Sequence, residues 1–337
     1  MKIAMFDTRT YDRSSFEAAN ADFGHQLTFL EPRLTKDTAA LATGHDAVCG
    51  FVNDRIDEPT LQTLHRVGVR IVALRSAGYN HVDLLAAGRP SRPVVRVPEY
   101  SPHAVAEHAV GLVLALNRKI HRAYARVREW NFSLDGLVGF DLHGKTVGIV
   151  GTGRIGAATA QIFRGFGCRL LAHDATQDPE LVASLGLQYV ELAALCREAD
   201  IISLHVPLTP STRYLIDAEA MAVMKPAALL INTGRGALID SRALIVALKH
   251  GRIGGAGLDV YEEEEGVFFH DLSGQLLQDD VLARLLTFPN VIVTAHQAFL
   301  TREALDGIAR VSLANLRAFE EGRLENVVRA EEVFRVV

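Results

Sequence analysis

The sequence predicts an α/β protein with two doubly wound parallel-sheet domains. Three observations predict it. A chain of 337 residues is too long for one typical core, so two domains are the natural expectation. Short apolar strand candidates alternate with helical patterns twice, in the first hundred residues and again over 145–296. The second series opens with an apolar strand that runs straight into a glycine turn, Gly151-Thr152-Gly153-Arg154-Ile155-Gly156, and a helical pattern starts inside that turn.

The strand candidates of the first series are Lys2–Phe6, Gln26–Leu30, Ala47–Phe51, Arg70–Leu74 and Val94–Val97, with helical patterns such as Pro59–Val67 between them. One long helix is expected from Pro102 to Glu129, because Val105, Ala109, Leu112, Val113 and Leu116 recur at helical spacing. The second series reads Val147–Val150, Leu170–Ala172, Ile201–Val206, Leu229–Asn232, Ala256–Val260 and Val291–Thr294. These strands are apolar on both faces, as parallel strands under two helix layers should be. The stretch from Arg302 to Glu321 is amphipathic, with Leu305, Ile308, Val311, Leu316 and Phe319 on one side.

Composition excludes several classes. A formal net charge of −5 argues against a nucleic-acid surface. No apolar run reaches membrane-spanning length, and the first residues lack the long apolar core of a signal peptide. Cys49, Cys168 and Cys196 are odd in number and widely spaced, which suits buried thiols of a reducing compartment and neither a disulfide framework nor a metal site. The cytoplasm is therefore expected.

The glycine turn carries a physical reading. Gly151 permits the tight turn, Gly153 lets backbone approach a pyrophosphate, and Gly156 lets the helix pack closely on the strand. The free amides of the helix start would face the phosphates. Asp174 ends the next strand about 20 residues on, where an acid accepts hydrogen bonds from the ribose hydroxyls and repels a 2′-phosphate. This is the pattern of a Rossmann-type dinucleotide domain, and it favours NAD over NADP.

Ligands of such sheets bind beyond the carboxyl ends of the strands. The sequence places Arg235, the run Glu262–Glu265 and His296 at those ends. Each has an ordinary reading alone: a surface arginine, one of four consecutive glutamates on a solvated face, a structural histidine. Together they supply what hydride transfer to a 2-oxo acid needs. Arginine offers a planar fork for the carboxylate. Histidine can deliver a proton to the carbonyl oxygen, and a neighbouring carboxylate favours the charged imidazole. In the first series, Arg75 and the turn Ser76-Ala77-Gly78-Tyr79-Asn80 follow Leu74, and the turn's amides offer a second anchor for the carboxylate.

Six stretches now carry a resemblance: A-L-R-S-A-G-Y-N-H-V-D-L (73–84), V-P-E-Y-S-P-H-A-V-A-E-H-A-V (97–110), G-I-V-G-T-G-R-I-G (148–156), I-N-T-G-R-G-A-L-I-D (231–240), G-L-D-V-Y-E-E-E-E (257–265) and T-A-H-Q-A-F-L-T (294–301). Over nearly its whole length the chain resembles the D-isomer-specific 2-hydroxyacid dehydrogenase family, most closely its bacterial fermentative D-lactate dehydrogenase branch. The resemblance implies a flavodoxin-like substrate-binding domain formed by 1–99 and 299–337, and an inserted NAD-binding domain, 100–298. It implies NADH-dependent reduction of pyruvate to D-lactate, with Arg235, Glu264 and His296 catalytic. It assigns Gly151, Gly153, Arg154, Ile155, Gly156, Asp174, Val206, Pro207, Thr212, Thr233, Gly234 and Asp259 to the cofactor. It places Ala77, Gly78, Tyr79, Tyr100, Arg235 and Phe299 at the substrate. It implies a homodimer or homotetramer, and the 102–129 helix is the expected subunit face. No metal, nucleic acid or membrane partner is expected. The stretch from Ala87 to Pro93 departs from the family pattern. Two other readings stay open: a related reductase of phenylpyruvate or hydroxypyruvate, and a non-catalytic NAD(H) sensor.

Overall fold

The computed structural model of the protein describes residues 1–87 and 92–329. Gly88–Ser91, the centre of the departing stretch, lie outside the described residues. The chain divides into two compact units, Met1–Ser101 with Leu300–Val337, and Pro102–Phe299.

The first unit runs β1 (Lys2–Met5), α1 (Thr10–Asn20), β2 (Gln26–Phe29), β3 (Ala47–Gly50), α2 (Glu58–Arg66), β4 (Ile71–Leu74), α3 (Leu84–Ala87) and β5 (Val94–Arg96). All strand pairs are parallel, in the order β2-β1-β3-β4-β5. Strand order therefore reverses between β1 and β3, where a doubly wound sheet opens a crevice. α2 starts where the Asp57 side chain accepts from the Thr60 amide, with Pro59 in the first turn. Residues such as Phe6, Val48, Leu64 and Val72 form the core. The tail helix Arg302–Glu320 packs on α1.

The ladders stop short of the ends read from sequence: Phe6, Leu30, Phe51 and Val97 follow the last paired residues. Three of these four, Phe6, Phe51 and Val97, remain buried. The apolar pattern reports burial, which outlasts the hydrogen-bonded ladder.

The second unit runs α4 (Pro102–Arg118), α5 (Ile120–Arg128), β6 (Thr146–Val150), α6 (Arg154–Gly165), β7 (Arg169–His173), α7 (Pro179–Leu185), β8 (Gln188–Tyr189), α8 (Leu192–Glu198), β9 (Ile201–Leu204), α9 (Ala218–Ala222), β10 (Leu229–Asn232), α10 (Ser241–Lys249), β11 (Gly255–Leu258), α11 (Asp280–Leu286) and β12 (Val291–Val293). Its seven strands are parallel in the order β12-β11-β10-β9-β6-β7-β8, so order reverses between β6 and β9.

The expected single helix over 102–129 is two helices. Lys119 takes a left-handed conformation at φ 51° and ends α4. The cause lies two residues earlier. Buried Asn117 exchanges hydrogen bonds with Phe140, its Nδ2 donating to the carbonyl at 2.7 Å and its Oδ1 accepting from the amide at 2.8 Å. Gly139 lies so close to the Asn117 carbonyl that a Cβ would stand 2.5 Å from it. α4 buries its apolar side, whereas α5 buries no residue. Two-residue β8 is too short to leave a period in the sequence.

Candidate active site

The crevice between β6 and β9 is shaped by glycine. Gly151, at φ 94°, donates to the His173 carbonyl at 2.9 Å and lies against the next strand's exit: a Cβ there would sit 2.7 Å from the His205 carbonyl carbon. A Cβ on Gly156 would meet the Gly151 carbonyl oxygen at 1.9 Å, so α6 can start this close only with glycine. A Cβ on exposed Gly153 would meet nothing within 4 Å. Gly153 is the N-cap of α6, and no side chain caps that helix start. Thr233 Oγ1, at the exit of β10, is buried with no hydrogen-bond partner among the described residues. An uncapped helix start, open space over Gly153 and an orphaned hydroxyl are features that a dinucleotide would complete.

Asp174 follows β7, and its carboxylate is held on the glycine turn. Its Oδ2 accepts from the Thr152 amide at 2.6 Å and from the Thr152 hydroxyl at 3.1 Å, and its Oδ1 accepts from the Thr176 amide at 3.0 Å. Burial alone would raise its pKa, but these hydrogen bonds outweigh it and hold the carboxyl below the usual range. The ring of His205 is pushed down to about 4 by burial and is therefore neutral near pH 7. Its Nε2 lies 2.9 Å from Ser203 Oγ. Arg154 is exposed, Ile155, Val206 and Gly234 are half-buried, and Pro207 is exposed. The Thr212 hydroxyl folds its own turn, donating to the Pro207 carbonyl at 2.6 Å.

Arg235, Glu264 and His296 follow β10, β11 and β12, three adjacent strands. Glu264 and His296 meet directly, with Oε2 2.8 Å from Nδ1. Their side chains are 17% and 18% exposed, so the pair is reachable from solvent yet poorly hydrated. Glu264 Oε1 accepts from the Tyr261 amide at 3.0 Å, and the Phe269 ring lies 5.9 Å from the imidazole. Of the four glutamates, Glu263 and Glu265 are exposed and Glu262 accepts from the Ser241 amide at 3.3 Å. Arg235 is half-buried, and its Nη1 donates to the Gly234 carbonyl at 2.7 Å. Next to it, a Cβ on Gly236 would lie 2.0 Å from the Tyr261 carbonyl carbon. The arginine loop thus rests on the chain that leads to Glu264.

Asp259 has a visible task that its spacing did not announce. It is fully buried. One carboxylate oxygen accepts from the Thr294 hydroxyl at 2.6 Å and the Gln297 amide at 2.9 Å, and the other accepts from the Ala298 amide at 2.9 Å. His108 of α4 approaches the first oxygen at 3.4 Å. The Asp259 carbonyl accepts the His296 amide at 2.7 Å, and His296 itself sits at φ 53°. Asp259 therefore fixes the 294–298 loop and the unusual backbone of His296. Burial works to raise its pKa, yet bonds from His108, Thr294 and Ala298 and the field of His296 keep it low. An acid directly after a fully apolar strand was the available signal.

The remaining candidates are placed separately. Ala77, Gly78, Tyr79 and Tyr100 belong to the first unit, and Phe299 ends the second. The Ala77 carbonyl accepts from Arg96 and the Gly78 carbonyl from the Ser76 hydroxyl, both at 2.8 Å, which fixes the turn. The Arg96 guanidinium lies 5.2 Å from the Tyr79 ring centre. The three cysteines are free and buried. Among the described residues no cluster of His, Cys, Asp and Glu could hold a metal ion, and no helix is long and apolar enough to cross a membrane.

Comparison with known proteins identifies the family. The family profile of the D-isomer specific 2-hydroxyacid dehydrogenase NAD binding domain matches residues 110–298. A D-lactate dehydrogenase of Escherichia coli is 50% identical over 322 residues, covering 96% of this chain and 98% of its own. The solved pyruvate reductase of Chlamydomonas reinhardtii is 44% identical with a TM-score of 0.91, over 96% of this chain and 97% of its own. A D-lactate dehydrogenase from Lactobacillus jensenii, solved with NAD+, is 35% identical with a TM-score of 0.82, over 97% of this chain and 99% of its own. The chain belongs to the D-isomer specific 2-hydroxyacid dehydrogenases, NAD-dependent oxidoreductases in which a Rossmann fold binds the cofactor.

Proposed function

We propose that the protein reduces pyruvate to D-lactate with NADH, and runs the reverse reaction when lactate and NAD+ are abundant. The observation that carries this reading is the 2.8 Å Glu264–His296 pair on the strand edge next to Arg235. Two relatives support it by name, the D-lactate dehydrogenase of E. coli and the pyruvate reductase of C. reinhardtii.

When bound, the nicotinamide supplies the hydride to the substrate's carbonyl carbon. Arg235 grips the carboxylate through two parallel hydrogen bonds. His296 engages Glu264 through Nδ1, which leaves Nε2 to give the carbonyl oxygen its proton. Glu264 compensates the charged imidazole and fixes the ring's direction. Gly151, Gly153, Gly156, Arg154, Ile155, Val206, Pro207, Thr212, Thr233 and Gly234 contact the cofactor. Asp174 takes the ribose, and Asp259 acts by holding the His296 loop. Ala77, Gly78, Tyr79, Tyr100 and Phe299 contact the substrate.

The test is NADH consumption against pyruvate, phenylpyruvate and hydroxypyruvate, with chiral analysis of the product. The reading requires the highest kcat/KM for pyruvate and D-lactate as the product. A preference for phenylpyruvate or hydroxypyruvate moves the assignment to a sister reductase. No turnover with any 2-oxo acid leaves an NAD(H) sensor.

The unit that chemistry requires is one chain, but we infer a homodimer. Ile120, Tyr124, Val127, Trp130, Phe132, Leu134 and Val138 are each more than half exposed, within nineteen consecutive residues. So dense an apolar stretch marks a protein–protein surface. The covered face is thus α5 and the segment after it, in place of the whole 102–129 helix. Tyr124→Glu with Val127→Asp should give monomers in light scattering. The buried free thiols suit the cytoplasm.

A further inference from the structure

A hydrogen-bond chain lies behind Asp174, and none of the assigned cofactor residues accounts for it. The Asp178 amide donates to Tyr189 Oη at 2.9 Å. Tyr189 Oη lies 2.9 Å from Thr152 Oγ1. Thr152 Oγ1 donates to Asp174 Oδ2 at 3.1 Å. Each hydroxyl has a single proton, so the direction is fixed from the far end. Thr152 gives its proton to the carboxylate, so Tyr189 must donate to Thr152 and accept from Asp178. The chain runs one way, from the amide of the α7 N-cap to the carboxylate, and charge at its end strengthens each link.

Tyr189 occupies a two-residue edge strand, β8, paired to β7 through Ala172, two residues before Asp174. A phenylalanine would suit that strand equally well. Its hydroxyl reaches the glycine turn at Thr152.

We propose that Tyr189 is a positioning residue for cofactor choice: its hydroxyl, through Thr152, locks the Asp174 carboxylate on the glycine turn in the place where a 2′-phosphate would have to lie. The inference rests on Asp174 holding the adenosine ribose. A locked carboxylate meets the ribose hydroxyls without reorganising and cannot swing away from a 2′-phosphate. An unlocked one loses affinity for NADH and tolerates NADPH better. Discrimination is then a property of four residues, Asp174, Thr152, Tyr189 and Asp178, of which the last two lie outside the assigned cofactor contacts.

The test uses Tyr189→Phe, Thr152→Val, the double variant and Asp174→Ala. Each is measured for KM and kcat with NADH and NADPH, for NADH affinity by fluorescence titration, and for melting temperature. Tyr189→Phe should weaken NADH binding and raise its KM by about 3–10-fold, the usual effect of one lost hydrogen bond, with kcat little changed. The NADH-to-NADPH preference should fall by a similar factor. Thr152→Val should give the same split, and the double variant should add little, because both break one chain. A lowered melting temperature with unchanged preference in both single variants would overturn the proposal and leave Tyr189 as a strand anchor. Additive losses in the double variant would also overturn it. Asp174→Ala separates the premise from the inference. If it leaves the preference unchanged, the ribose reading itself fails; if it alone changes the preference, only the Tyr189 chain fails.

Discussion

The two units are variations on one architecture, and the difference lies in what fills the crevice where strand order reverses. In the first unit the crevice between β1 and β3 is closed by Arg75. Its side chain is fully buried, with Nη1 donating to the Phe6 carbonyl at 2.9 Å, Nη2 to the Asp7 carbonyl at 2.6 Å and Nε to Asp12 at 3.2 Å. The guanidinium also lies 4.6 Å from the Phe51 ring centre. Buried Asp54 accepts the Leu34 and Phe51 amides at 2.7 and 2.6 Å. In the second unit the crevice between β6 and β9 holds a glycine turn with an uncapped helix start, and Arg235 nearby is only half-buried. The same fold places an arginine after a central strand in both. A guanidinium whose donors are satisfied by its own chain is architecture. One that keeps its fork accessible can grip a ligand.

The strongest challenge to that contrast is at His296. His296→Ala should lower kcat by roughly 10²–10⁴, the range for general acid catalysis, and leave the melting temperature nearly unchanged. A fall in stability with little loss of rate would make His296 a structural residue like Arg75. The next effect belongs to Arg75. Arg75→Met leaves buried Asp12 without its cation and should cost about 3–5 kcal/mol in denaturant unfolding. The same change at Arg235 should cost less than about 1 kcal/mol of stability. Similar costs at both positions would erase the distinction.

A smaller effect sharpens it by pH. Burial lifts Asp54 from an ordinary 3.8 to about 7, against the pull of Arg75 and its two amide donors. Between those values the folded state holds a proton that the unfolded chain has released. Unfolding free energy should therefore fall as pH rises through this window, by at most about 1.4 kcal/mol per pH unit. Asp54→Asn should flatten this slope, as read from urea titrations across the window. An unchanged slope would show that Asp54 is ionised throughout. The smallest effect is at Asp174, where Asp174→Ala should narrow the preference for NADH over NADPH by about tenfold, one lost charge-assisted contact. Steady-state kinetics with both cofactors check it.

What could be read from the sequence was whatever is local. Strand, glycine turn, helix and Asp174 lie within thirty consecutive residues, and each glycine's steric task follows from its spacing. The position of Glu264 in its run of glutamates came from the family pattern after D-V-Y, and nothing in the run itself distinguishes it. Contacts between distant segments were invisible. Asn117 breaks the long helix by bonding to Phe140, 23 residues away. Asp259 reaches across to the next strand's loop, and Tyr189 reaches back to Thr152. Arg75 and Arg235 look alike in sequence, since their difference is made by Phe6, Asp7 and Asp12, which pattern alone does not bring to one crevice.

We infer that Arg235 is kept accessible to bind the carboxylate of a 2-oxo acid. Arg235→Lys preserves the charge and removes the fork. The decisive measurement is steady-state kinetics of this variant with pyruvate, alongside a fluorescence titration of NADH. A carboxylate grip by Arg235 predicts a KM for pyruvate raised by roughly tenfold or more and a lowered kcat, with NADH affinity within about twofold of the wild type, as expected where one charge-assisted pair is lost at the substrate alone. A wild-type KM for pyruvate, or a loss confined to NADH affinity, would contradict it.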